Sequence, residues 1–282
     1  MTTILKTTMK IGSTNFDLKR PTIMGILNLT PDSFSDGGRF SDLDRAIKRT
    51  EEMINQGAQI IDVGAESTRP YAETITQKQE ILRLKPFLTQ YKKRFSVPLS
   101  LDTSKAEVAK IGLDLGVDLI NDVSGLSADQ NLISVVSDYD VPIVLMHMRQ
   151  TPTTMQNRPS YDNVSEEVKS FLIQARDNAY NAGVKHVILD PGIGFGKTLQ
   201  HNLELIANLD SLLDLNCPIL IGTSRKSFIE KITGGVAQNR LEGSISSNIY
   251  AFQRGASFFR VHDVIEVRKA LQVFDAIGEA SC

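Results

Sequence analysis

The chain has 282 residues, 41% of them hydrophobic, and its 31 Lys plus Arg nearly balance 33 Asp plus Glu for a formal charge of -2. That length and apolar content bury a sizeable core, commonly in one domain, while the near-neutral balance gives no global reason to expect nucleic acid or an anionic membrane as a partner. Cys217 and Cys282 have no spacing that suits a disulfide framework or a metal knuckle; with no apolar leader core and no run of about eighteen apolar residues, a soluble, cytoplasmic protein is expected.

Residues 1–20 read as a hairpin: Ile4–Ile11 alternates, Gly12 and Ser13 turn the chain, and Asn15–Leu18 returns. Beyond it, β-rich runs alternate with segments of helical period, the signature of βαβ units and a parallel sheet. The first four predicted pairs are strand Thr22–Asn28 with helix Asp42–Gln56, Ile60–Val63 with Gln77–Lys92, Pro98–Asp102 with Lys105–Leu115, and Leu119–Asp122 with Ala128–Ser137. The next four are Pro142–His147 with Val164–Ala182, Val187–Asp190 with Leu199–Leu213, Pro218–Thr223 with Glu242–Arg254, and Phe258–His262 with Val264–Ile277. Most strands are apolar on both parities, as strands buried on two faces are, and Gly57, Gly116, Gly183 and Gly255 fall where helices end. Eight pairs predict an α/β fold of the (β/α)8 or TIM-barrel type over residues 21–282 as a single domain, with hairpin 1–20 plugging its bottom.

Residues at the carboxyl ends of barrel strands point into one mouth. Here they include Asn28, Asp62, Asp102, Asn121, His147, Asp190, Ser224 and His262. The carboxylates of Asp102 and Asp190 with the amide of Asn121 suit the N–H face of a heterocycle, although Asp102 also reads as a cap for the helix starting near Lys105. Asp190-Pro-Gly-Ile-Gly-Phe-Gly-Lys197 lacks both the Walker spacing and the dinucleotide fingerprint. Its three glycines would let backbone approach a flat ligand while Phe195 offers a ring for stacking; the plainer reading has Phe195 only covering the mouth.

After strand seven, Gly222-Thr-Ser-Arg-Lys-Ser-Phe228 stands where barrels place an anion site, with Ser227–Ile232 as a short extra helix. Arg225 and Lys226 add charge, and Arg260 and His262 alternate so that both face one side of strand eight. An ordinary solvated basic face is the competing reading. Arg69, in Glu66-Ser-Thr-Arg-Pro70, is placed to close over the same anion. Asn28 and the loop Asp32–Gly38 offer hard oxygen ligands of the kind that hold Mg²⁺ mainly through substrate phosphates. His147 lines or supports the pocket, because no second His stands at ligand spacing.

These motifs, in order, resemble the dihydropteroate synthases of the pterin-binding barrel group over nearly the whole chain. Asn28-Leu-Thr-Pro-Asp-Ser-Phe-Ser-Asp-Gly-Gly38 and Glu66–Pro70 match that family's two loops, and Leu101–Lys105, Ile120–Val123, Asp190–Lys197, Ser224–Ser227 and Arg260–Asp263 match its strand-end motifs. The resemblance implies a transferase of folate biosynthesis that joins 4-aminobenzoate to 6-hydroxymethyl-7,8-dihydropterin diphosphate with Mg²⁺. It implies that Asp102, Asn121, Asp190 and Lys226 bind the pterin, and that Asn28, Arg69, Arg260 and His262 bind the diphosphate, Asn28 also at the metal. Phe34, Thr68, Pro70, Phe195 and Ser227 would surround the aminobenzoate, and Asp102, Lys226, Arg260 and His262 would carry the chemistry. A homodimer and sensitivity to sulfonamides, which mimic the aminobenzoate, are likewise implied. Tyr71-Ala72 departs from the glycine the family commonly has after its Arg-Pro and bulks up the second loop.

Three rivals stand against this. A methyltetrahydrofolate:corrinoid methyltransferase shares the barrel but needs no diphosphate site, and the basic clusters disfavour it. A silent pterin- or partner-binding paralogue would lack charged site residues. A barrel aldolase or phosphate lyase would need a Schiff-base lysine, and Lys226 sits among Arg and Ser neighbours that suit an anion instead. Removing Arg260 is expected to weaken use of the diphosphate and to spare the fold.

Overall fold

Strands buried along their whole length, such as Ile60–Gly64 and Leu99–Asp102, require cover on both faces of the sheet. The computed structural model supplies that cover; it describes residues 7–30, 39–67, 72, 74–151, 154–155, 159–234 and 240–280. After an antiparallel hairpin, β1 (Thr8–Ile11) and β2 (Thr14–Asp17), strands and helices alternate: β3 (Thr22–Asn28), α1 (Arg39–Asn55), β4 (Ile60–Gly64), α2 (Gln77–Arg94), β5 (Leu99–Asp102), α3 (Ala106–Asp114), β6 (Leu119–Asp122) and α4 (Leu132–Asp138). The second half runs β7 (Ile143–Met146), α5 (Val164–Asn181), β8 (Val187–Asp190), α6 (Leu199–Ala207), β9 (Leu220–Ile221), α7 (Ser227–Thr233), α8 (Leu241–Gln253), β10 (Phe258–Val261) and α9 (Val264–Glu279).

The eight parallel strands lie in the order β8-β7-β6-β5-β4-β3-β10-β9. A parallel bridge between Leu189 and Ile219, with Leu189 N donating to Pro218 O at 2.9 Å, joins the two ends into a barrel. That seam is the thinnest part of the ring. The predicted seventh strand, Pro218–Thr223, shrinks to Leu220–Ile221, as suits a segment whose first residue has no N–H to give a ladder.

Two apolar layers hold the barrel. Outside, strand residues such as Val63, Leu101, Leu145 and Leu189 pack on helix residues such as Val108, Leu172 and Val267. Inside, at the end away from the strands' carboxyl termini, Met24, Ile60, Leu119, Val144, Ile188, Leu220 and Phe258 form one cluster with Met9, Ile11 and Phe16 of the hairpin. The rings of Phe16 and Phe258 lie 6.2 Å apart. The barrel interior is therefore filled from below, and polar groups are left to the opposite end.

Two helices differ most from their predicted extent. The segment Leu199–Leu213 is not one helix: α6 stops at Ala207 and a 3-10 turn runs Leu209–Leu215. Between them the Asn208 side chain donates to Glu204 O at 3.0 Å, a local side-chain bond of the type that competes with helix propagation. The helix expected from Ala128 starts at Leu132, because Asp122 folds the chain after β6 into a turn by accepting from Ser124 N, Ser124 Oγ and Leu126 N at 2.8, 2.7 and 2.6 Å.

Candidate active site at the carboxyl ends of the strands

A buried ionic chain lies across the barrel mouth. Arg260, from β10, donates through Nε to Asp62 Oδ2 at 2.6 Å and through Nη2 to Asp102 Oδ2 at 2.7 Å. Asn121, on β6, donates to the same Asp62 oxygen at 3.1 Å, and Ser100 Oγ donates to Asp62 Oδ1 at 2.6 Å. The strand register sets Asp62 beside Ser100 and Asp102 beside Asn121, so neighbouring strands deliver these groups to one spot. Burial disfavours charge on Arg260, but the Asp62 and Asp102 carboxylates outweigh it and raise its pKa. Burial pushes Asp102 up; Arg260 pulls it back and Asp62 pushes it further up, with a net upward shift. The capping reading of Asp102 fails: α3 has no side-chain cap, and its Ala106 N–H donates instead to Asp129 Oδ2 at 2.9 Å.

Asp190, Lys226 and Phe195 occupy the β8–β9 side of the mouth. Asp190 accepts from Gly192 N at 2.7 Å, and burial pushes its carboxyl up to about 6 against that bond and the pull of Lys226. Lys226, the residue before α7, holds its Nζ 3.9 Å from the centre of the Phe195 ring, a cation–π geometry. Burial, then Arg260, lower the Lys226 ammonium to about 8, with Asp190 and Asp102 pulling the other way. Ser227 begins α7 and is exposed. The three glycines of the β8–α6 loop have φ of +70°, +85° and +63°. A Cβ on Gly192 would press into the His147 carbonyl, and one on Gly196 would come 2.8 Å from the Arg149 carbonyl. Backbone shape, with the neighbouring loop's carbonyls at Gly192 and Gly196 and the Lys226 side chain at Gly194, already calls for glycine at these positions.

A cleft of about 520 Å³ opens beside this group, lined among others by Asn28, Lys48, Arg49, Arg225 and His262. Arg49, from α1, donates to the His262 carbonyl at 3.0 Å. His262 Nδ1 is 3.1 Å from Ser224 Oγ, and burial, reinforced by Arg260, lowers the imidazole to about 3, so it stands neutral. Arg225 shares this cleft with His262, part of the expected basic cluster, and pairs with Asp263, Nε to Oδ2 at 3.0 Å. Of the first expected loop, Phe34 lies outside the described residues; of the second, so do Thr68, Arg69, Pro70 and Tyr71. Glu66 is described: it accepts from Lys105 Nζ at 2.5 Å and from Ile75 N at 2.9 Å.

Among the described residues no three His, Cys, Asp or Glu side chains cluster as a metal cage. Asn28 offers one hard oxygen in a cleft whose charged lining is Arg45, Lys48, Arg49 and Arg225 with a single carboxylate, Glu52. With that excess of positive charge, a divalent cation would fit only together with phosphate oxygens that bring their own negative charge.

Two members of this site escaped the sequence reading. From sequence alone Asp62 is no more than a strand end, yet it is fully buried and receives three hydrogen bonds. Its signal was a carboxylate inside an otherwise apolar run, which a core tolerates only with partners. Lys197, read merely as the end of a glycine-rich loop, is also buried.

The chain matches the family described as pterin binding enzyme over residues 24–262. It is 45% identical to the dihydropteroate synthase of Clostridium beijerinckii over 273 residues, 95% of this chain and 99% of that one. The chain belongs to the dihydropteroate synthase family. Its fold superposes on the Yersinia pestis dihydropteroate synthase solved with a sulfonamide drug complex (TM-score 0.91, 38% identity, 96% and 99% of the two chains). It also superposes on the Clostridium difficile dihydropteroate synthase solved with pteroic acid (TM-score 0.88, 42% identity, 95% and 98%). Family membership matches the buried carboxylates and the neighbouring cationic cleft, which the barrel architecture alone would not assign to any one reaction.

Proposed function

We propose that this chain is a transferase that joins 4-aminobenzoate to 6-hydroxymethyl-7,8-dihydropterin diphosphate, giving 7,8-dihydropteroate and pyrophosphate for folate biosynthesis. The observation that carries the reading is the buried Asp62–Arg260–Asp102 chain in a barrel of this family, whose Arg260 charge is felt both at Lys226 and at His262 of the cationic cleft. It offers buried anions where a cation must be stabilised and cations where an anion must leave.

On this reading Asp102, Asn121 and Asp190 face the pterin's N–H groups and Lys226 its acceptors. Arg260, His262, Asn28 and Arg69 receive the diphosphate. The C–O bond at the pterin's methylene carbon breaks with both electrons passing to the diphosphate oxygen, and Asp102 stabilises the resulting pterin-methyl cation. The aminobenzoate amine, held among Phe34, Thr68, Pro70, Phe195 and Ser227, forms the C–N bond and releases a proton to solvent. Fixed charges in a dry mouth are worth far more here than in water, and one such donor commonly contributes about 100-fold or more to turnover. A neutral His262 can still donate a hydrogen bond, and an arriving phosphate would raise its pKa. When bound, Mg²⁺ supplies positive charge to the leaving diphosphate, and Asn28 is the side chain that would hold it.

We further propose that the chain acts as one domain, hairpin 1–20 on barrel 21–282, as a homodimer in the cytoplasm, and that sulfonamides compete with the aminobenzoate. Among the described residues no helix is long and apolar enough to cross a membrane, and the Yersinia pestis relative was solved with a sulfonamide drug complex. The test is to incubate the protein with the dihydropterin diphosphate and Mg²⁺, with and without 4-aminobenzoate, following pyrophosphate and dihydropteroate together. Product only with both substrates is expected. Pterin binding with no pyrophosphate release would sink the reading.

A further inference from the structure

The β8–α6 loop curls around a cation of its own. Lys197 is 3% exposed, and its Nζ lies 2.9 Å from His147 Nδ1, 2.9 Å from Gly192 O, 3.0 Å from Phe195 O and 3.3 Å from His147 O. Burial, with Lys226, lowers Lys197 to about 7 against the pull of Asp190, but four acceptors around one nitrogen favour the ammonium, since a neutral amine has only two protons to give. The imidazole answers this need: burial, then Lys197, lower His147 to about 3, so its Nδ1 is free to accept. The left-handed φ of Gly192, Gly194 and Gly196 makes the curl possible. The same loop carries Phe195, over which Lys226 stands, and Tyr161 Oη braces its far end by donating to Gly196 O at 2.9 Å.

We propose that Lys197 is a positioning residue for the aminobenzoate side of the site, its buried ammonium gathering the carbonyls of the β8–α6 loop and so holding the Phe195 ring where the second substrate lies. This rests on the reading under Proposed function. Lys197 touches no substrate in this scheme. It acts through Phe195, and it ties that ring to His147 on the neighbouring loop.

The test compares the wild-type protein with Lys197→Met, which keeps the apolar stem and removes the charge. Folded K197M should raise the KM for 4-aminobenzoate about tenfold to a hundredfold, the scale on which small misplacements act, with kcat and the KM for the pterin diphosphate changed far less. Hydrogen exchange at the amides of residues 192–197 should speed at least about tenfold, as expected of a segment that opens locally. Unchanged aminobenzoate KM together with unchanged exchange overturns the proposal, and so does an equal loss in both substrates. If K197M does not fold, Lys197→Gln, whose amide can still serve two carbonyls, should show an intermediate KM; failure of both to fold assigns the residue to stability alone and overturns the proposal. A wild type that makes no dihydropteroate overturns the functional reading instead, and the exchange comparison still decides whether Lys197 holds the loop.

Discussion

Arg260 faces two carboxylates that have almost no water, Asp62 being fully buried, and this changes what its removal should do. The sequence reading expected such a variant to keep its fold. With Asp62 and Asp102 orphaned, Arg260→Met should instead lose about 3 kcal/mol or more of stability at pH 7.5, the scale for breaking one side of a buried pair. Part of that loss should return at pH 5.5, where an orphaned carboxyl takes a proton. Urea unfolding at the two pH values measures it; a variant as stable as the wild type at pH 7.5 would show the pair to be dispensable. That Asp102, Asn121, Asp190 and Arg260 come to one mouth was legible from their place on the strands, because a parallel barrel aims such positions inward, and Lys226 was legible from the loop after the seventh barrel strand, before α7. Which carboxylate meets which cation was not, since it depends on register and rotamer. His262 carries a second expectation. Its folded pKa of about 3 lies below the unfolded value of about 6.5, so the unfolded chain binds the extra proton, and stability falls as pH drops below about 6.5. With some discount for its partial exposure, the wild type should lose about 2 kcal/mol more than His262→Asn between pH 7 and pH 4.5. Equal losses in denaturant titrations would mean that the folded protein accepts the proton.

At the scale of elements, the strands were the most legible feature. Thr22–Asn28, Leu119–Asp122 and Val187–Asp190 match their predicted bounds, because an apolar run that stops at a polar residue marks both the burial and the strand's end. Helix starts were less so, since side-chain bonds such as those of Asp122 and Asn208 redirect the backbone without altering hydrophobic period. The sequence pattern of the β8–α6 loop suggests chemistry, and geometry independently requires its glycines. Gly192→Ala forces a side chain into φ +70° and against the His147 carbonyl, which should cost about 2 kcal/mol or more. It should also displace Asp190, whose carboxylate accepts from the Gly192 N–H. A thermal melt and pterin binding should therefore fall together; a melt within a degree of wild type would show that the loop relaxes freely.

For the molecule as a whole, the hairpin and the helices pose opposite surface problems. Phe16 and Ile11 are hidden inside the barrel's lower end, whereas Val273 and Ile277 on α9 are 61% and 66% exposed. Four residues apart, these two share one face of the helix. Apolar side chains scattered singly on a surface need no explanation, but a paired ridge on a long amphipathic helix suits a partner copy. All the described groups of the ionic chain come from a single barrel, so association is not needed to complete that part of the mouth. On the proposed homodimer with its seam at this ridge, replacing Val273 and Ile277 together by Asp should turn a wild-type dimer into a monomer by light scattering at micromolar concentration, with turnover retained because the charged network stays whole. A wild type that already scatters as a monomer overturns the proposed homodimer, and a double variant that stays a dimer moves the interface to another face; if it becomes a monomer that has lost turnover, a neighbouring copy contributes to the site, and the one-chain mouth inferred from β4, β5, β6 and β10 is incomplete.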